Sequence, residues 1–61
     1  MKVLMVGDVV GSVGCDHLRR VLPGIKKQHS IDICVVNGEN AADGNGLTPA
    51  AALHIFDSGA D

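Results

Sequence analysis

Apolar and polar positions fall into four blocks along the chain. Lys2–Val6 reads K-V-L-M-V, a short, partly β-branched apolar run that stops at Gly7. Continuous runs of this length mark strands buried on both faces, the kind used by parallel sheets. After Val9 and Val10, the stretch Gly11-Ser12-Val13-Gly14 predicts a glycine-punctuated loop. Leu18, Val21, Leu22 and Ile25 then recur at i, i+3, i+4 and i+7, which is one face of a helix. Arg19, Arg20, Lys26 and Lys27 fall largely on the opposite face, and basic residues in the C-terminal half suit the helix dipole. Pro23 predicts a kink or a fresh turn, because its ring displaces a backbone hydrogen bond.

Ile31–Val36 reads I-D-I-C-V-V, a second strand ending at Asn37-Gly38. Glu39-Asn40-Ala41-Ala42 follows, and Asp43-Gly44-Asn45-Gly46, two Asx-Gly pairs in a row, predicts a tight irregular loop. Thr48-Pro49 has the form of a helix start, Thr as N-cap and Pro at the first helical position. The helix runs over Ala50–Phe56 and Gly59 closes it. The order β-α-β-loop-α defines an α/β fold with parallel strands. A third strand is due next, since two parallel strands leave bare edges and a small core. At 61 residues the chain is therefore expected to be the N-terminal portion of a single larger α/β domain, ending before that strand.

Composition narrows the function classes. Hydrophobic residues make up 46% and charged residues 20%, as in ordinary globular domains. One Phe and no Trp or Tyr argue against stacking platforms for single-stranded nucleic acid. A net charge of −2 gives no basic footprint for duplex phosphates. No apolar run approaches a membrane span or the core of a secretory leader, so a cytoplasmic location without membrane partners is expected. Cys15 and Cys34 do not make a disulfide framework. Cys34, inside an apolar run, is expected to be buried, and Cys15 to be the more exposed.

Candidate chemistry lies just after the strands, because open α/β sheets bind ligands at the carboxyl ends of their strands. Asp8 follows the first strand; Glu39 and Asn40 follow the second, about one βαβ unit later. Neighbouring strands are about 4.8 Å apart. Two carboxylates at such spacing repel unless a cation lies between them. Asp, Glu and an Asn amide oxygen suit hard divalent ions. The spacing alone equally permits Asp8 as a loop or helix cap and Glu39 as a solvated loop residue. Gly7, Gly11 and Gly14 raise a dinucleotide-binding reading, but their spacing is G-x3-G-x2-G and Asp8 would repel a pyrophosphate. His17, His29 and His54 fall on helices, away from strand ends, and Asp57 and Asp61 are expected to be solvated. A docking fragment without catalysis is the other alternative.

Two stretches read together carry a resemblance: Gly7-Asp8-Val9-Val10-Gly11-Ser12-Val13-Gly14 and Asn37-Gly38-Glu39-Asn40-Ala41-Ala42-Asp43-Gly44-Asn45-Gly46-Leu47-Thr48. They resemble the YmdB-like calcineurin-type metallophosphoesterases of bacteria. Leu22-Pro23 and Phe56–Asp61 fit as well. The resemblance covers nearly the whole chain but only the first part of the family's length. It implies an α/β sandwich with two divalent metal ions, iron or manganese, and phosphodiesterase activity on small cyclic nucleotides of the 2′,3′ type. By position, Asp8, Glu39 and Asn40 look like metal ligands. The family's Asn-His pair after a third strand, whose His is the expected acid, and its later His ligands would lie beyond Asp61. No catalytic residue is thus expected within these residues, which alone should bind metal weakly and not turn over. Cys15-Asp16 departs from the basic residue the family's pattern would put just after Gly14.

Overall fold

The computed structural model describes residues 1–42 and 46–61. The predicted loop residues Asp43, Gly44 and Asn45 lie outside them. The elements are β1 (Val3–Val6), α1 (Gly11–His29), β2 (Ile33–Val36) and α2 (Pro49–Ser58). β1 and β2 pair in parallel, with Val3 opposite Ile33 and Val6 opposite Val36. The N–H of Ile33 donates to the Lys2 carbonyl at 3.3 Å, and that of Asn37 to the Val6 carbonyl at 2.8 Å. Backbone groups of a parallel strand alternate in direction, so Cys34 and Val36 offer theirs to the far edge of β2.

Both helices cover one face of this sheet. Leu4, Val6 and Val36 pack there on a buried cluster of Val9, Cys15, Leu18, Leu22, Cys34, Ala41 and Ile55. The other face carries Val3, Met5, Ile33 and Val35, all exposed, Met5 at 77%. The expectation of strands buried on both faces is thus corrected: the run is apolar on both sides, but these residues supply a helical layer for only one.

Two details of α1 depart from expectation, and a third concerns Pro23. The helix begins at Gly11 rather than after Gly14, because the Gly14 N–H donates to the Val10 carbonyl at 3.2 Å and opens the helical ladder there. That start puts Cys15 in line with Leu18 and Leu22, so Cys15 is buried at 3%, hardly more exposed than Cys34. The helix also runs through Pro23 without ending. Pro23 lacks the N–H that would donate to the Arg19 carbonyl, and both residues are exposed, where a lost bond costs least. Cys34 is fully buried as expected. Burial pushes its thiol pKa up; nearby Lys26 pulls it partly back, and Asp61 adds to the rise.

The start of α2 follows the sequence signal closely. Thr48 is the N-cap, with Pro49 at the first helical position, and its Oγ1 accepts from the Ala51 N–H at 3.1 Å. Replacing Thr48 with Ala orphans that amide and should lower stability by about 1 kcal/mol, read as a shift in denaturant midpoint. Gly59 closes the helix at φ 122°, and its N–H donates to the Phe56 carbonyl at 3.0 Å.

Asp61 is not simply solvated. Its N–H donates to the Cys34 carbonyl at 2.8 Å, and its Oδ2 accepts from the Cys34 N–H at 2.9 Å. A parallel neighbour would offer the Gly59 carbonyl to that amide, but the Gly59 carbonyl accepts from Lys26 Nζ at 2.7 Å. The Asp61 carboxylate takes its place, with Lys26 Nζ 3.5 Å away. The Cys34 N–H, with the Lys26 charge, holds the Asp61 carboxyl below the ordinary carboxylate range, against some desolvation.

Candidate metal centre

The site is built from two loops that leave neighbouring strands at the same end. Asp8 lies two residues beyond Val6, and Glu39 three beyond Val36, the paired last residues of the strands. Asp8 adopts φ 56°, in the left-handed region that side chains other than Asn and Asp seldom enter. After Asp8 the chain buries Val9 in the core and turns into α1 at Gly11, where φ is 67°.

Glu39 and Asn40 occupy the centre of a turn. The Ala41 N–H donates to the Gly38 carbonyl at 3.1 Å, closing a four-residue turn with these two at its tip. Asn37 pre-shapes it: its Oδ1 accepts from the Glu39 N–H at 3.1 Å, an Asx turn. Gly38 has little room to be anything else, since a Cβ there would lie 3.0 Å from Ile55 Cδ1. The two loops are joined by the Gly11 N–H, which donates to the Asn40 carbonyl at 3.1 Å.

The structure therefore brings the backbones of all three sequence-predicted residues to one rim. Asp8 and Glu39 are exposed and Asn40 is half-buried. Among the described residues the side chains of Asp8, Glu39 and Asn40 enter no hydrogen bond or ion pair, which leaves their oxygens available. Two carboxylates and a neutral amide oxygen are donors suited to a hard divalent cation. They form part of a ligand set. Among the described residues no group of three or more His, Cys, Asp or Glu side chains is gathered closely enough to hold a metal. A groove of about 250 Å³ runs beside Asp8, lined also by Gly7, Val9, Gly14 and His17.

Sequence reasoning missed the supporting residues. Asn37 is readable as an Asx-turn former before Gly-Glu-Asn. The Gly11–Asn40 bond is not, because it joins two elements whose pairing only the fold reveals. His54, an ordinary helical histidine by sequence, sits with Nε2 buried, 3.8 Å from Asp16 Oδ1, and with no hydrogen-bond partner among the described residues. That contact joins α1 to α2 beside a hollow lined by Ser12, Cys15, Ala41, Ala42 and Thr48.

A parallel β-α-β unit followed by a helix defines an α/β protein, with its candidate site at the carboxyl end of the sheet. The comparisons with known proteins make this specific. The YmdB-like protein family matches residues 4–61, and the chain belongs to that family. The chain is 43% identical over its whole length to a 2′,3′-cyclic-nucleotide 2′-phosphodiesterase of Bacillus subtilis (strain 168), spanning 23% of that protein. A Mycoplasma genitalium protein provisionally named a phosphatase/phosphodiesterase is 40% identical over 48 residues, which are 79% of this chain and 17% of that one. The crystal structure of a hypothetical protein from Thermus thermophilus superposes on the whole chain with a TM-score of 0.91 at 36% identity, over 23% of its own length. The chain thus spans about a quarter or less of the length of these relatives.

Proposed function

We propose that this chain is the N-terminal segment of a metal-dependent phosphodiesterase that hydrolyses small 2′,3′-cyclic nucleotides. The observation that carries this reading is the Gly11–Asn40 hydrogen bond, which ties the two acidic loops together at one end of adjacent parallel strands. The name of the Bacillus subtilis relative supports the substrate class. The family match supports phosphoester chemistry and lends nothing to the dinucleotide reading. The pairing of Asp61 on the free edge of β2 is where a third strand would continue, which supports a larger domain.

Asp8, Glu39 and Asn40 would hold the cations, iron or manganese, with further ligands and the acidic His supplied by later segments. Bound divalent ions supply Lewis acidity and an activated water for attack on phosphorus. The two carboxylates offset cationic charge, while Asn40 donates oxygen without further negative charge. Asn37 and Gly38 keep the turn in the shape that presents Glu39 and Asn40. A cytoplasmic location, and partners limited to small phosphodiesters rather than duplex nucleic acid or membrane, belong to the same proposal. Among the described residues no helix is long and apolar enough to cross a membrane.

The test uses the full-length protein with a 2′,3′-cyclic nucleotide. Hydrolysis should vanish on chelation and return with Mn²⁺ or Fe²⁺. Turnover that survives thorough chelation would sink the reading.

A further inference from the structure

We propose that Gly11 is a positioning residue for the metal centre, setting the separation of the two ligand loops through its amide and its left-handed backbone; this rests on the metal reading above. Three observations carry it.

The Gly11 N–H is not used inside the helix that Gly11 begins. It donates across to the Asn40 carbonyl at 3.1 Å. First-turn amides have no intrahelical acceptor, so this one is free to bind the neighbouring loop. The bond therefore fixes the backbone of one proposed ligand, and Glu39 beside it, to the loop that carries Asp8.

Gly11 holds φ 67°, and Asp8, three residues earlier, holds φ 56°. The left-handed Gly11 lets α1 leave the rim while its amide still faces Asn40. A Cβ at that φ crowds the following carbonyl, so an L residue shifts toward negative φ and swings the amide away. Between β1 and α1, Asp8 is the one non-glycine residue in the left-handed region, so the strain sits at a proposed ligand.

One turn further along α1, Cys15 Sγ lies 3.9 Å from the Ala41 carbonyl. Successive carbonyls of the turn, Asn40 and Ala41, thus accept from α1. Cys15 is buried and its contact is weak, so the charge-facing end of the clamp depends on Gly11.

The test is made on the full-length protein by calorimetric titration with Mn²⁺, comparing Gly11→Ala, Gly11→Asn and Gly59→Ala. Gly59 also holds positive φ, 122°, but at the far end of α2, where it controls for strain alone. Gly11→Ala should bind Mn²⁺ about 10-fold or more weakly, the range for residues that orient metal ligands. Its kcat should fall with KM little changed. Gly11→Asn, which tolerates the left-handed region, should stay within about threefold of wild type. It keeps the comparison informative if Gly11→Ala does not fold. Gly59→Ala should lose thermal stability and keep full Mn²⁺ affinity. Equal Mn²⁺ affinity in wild type and Gly11→Ala, or a loss in Gly11→Asn as large as in Gly11→Ala, overturns the positioning role while leaving the metal reading intact. A wild type that binds no Mn²⁺ overturns both.

Discussion

Asp8→Gly in the full-length protein should abolish tight metal binding and lower kcat about a thousandfold, yet leave the fold standing. The loss follows from removing one of two carboxylates that would hold the cations, an electrostatic contribution of several kcal/mol to the transition state. Stability should move by less than about 1 kcal/mol. Asp8 sits at φ 56°, a conformation glycine adopts freely, and relief of that strain offsets glycine's larger entropy in the unfolded chain. Its side chain makes no hydrogen bond or ion pair among the described residues that folding would lose. A capping or loop role for Asp8 predicts the reverse pattern, altered stability with metal affinity unchanged. Calorimetric metal titration and a thermal melt on one preparation separate the two.

The second large effect is structural. Leu22 is 1% exposed, beneath the C-terminus of α2, where a Cβ added at Gly59 would lie 3.6 Å from its Cδ2. Leu22→Ala removes buried methyl groups from the contact between α1 and α2 and leaves a cavity. Such substitutions cost about 2–5 kcal/mol, a large share of the 5–15 kcal/mol typical of a domain. Val13→Ala, at a position 81% exposed on the same helix, should change stability by no more than about 0.5 kcal/mol. Urea midpoints of the two full-length variants measure the contrast. A cost below about 1 kcal/mol for Leu22→Ala would mean that α2 does not pack on α1 as described.

Much of this is legible in the residues, for reasons that differ by element. The strands declare themselves because their apolar runs are short, β-branched and stopped by glycine. Both prove two residues or fewer shorter than the runs, because pairing, not hydrophobicity, sets their limits. Thr48-Pro49 and Gly59 fix α2 to within a few residues, since a cap acts through local geometry that sequence encodes directly. Glycine misleads at Gly11-Ser12-Val13-Gly14, where permissive backbone reads as loop. There the first helical turn forms because the rim needs a left-handed residue at its start and the helix can propagate behind it. Asp61 misleads for a related reason: a terminal acid looks solvated unless the edge of β2 is known to leave the Cys34 amide open.

The candidate site is legible as residue types and order, because each acid lies in the short turn after a strand. Its support is not. Which backbone amide meets which carbonyl depends on β1 lying beside β2, a fact of topology rather than of local sequence. The apolar character of the sheet's outer face is plain from the runs, and these residues leave that face exposed.

The most direct measurement is the anomalous scattering of crystals of the full-length protein grown with Mn²⁺. Manganese peaks within coordination distance of carboxylate oxygens of both Asp8 and Glu39 are expected, with the Gly11 amide still on the Asn40 carbonyl. Fully occupied manganese elsewhere, with both carboxylates left in solvent, would contradict the joining of these two loops into one metal centre.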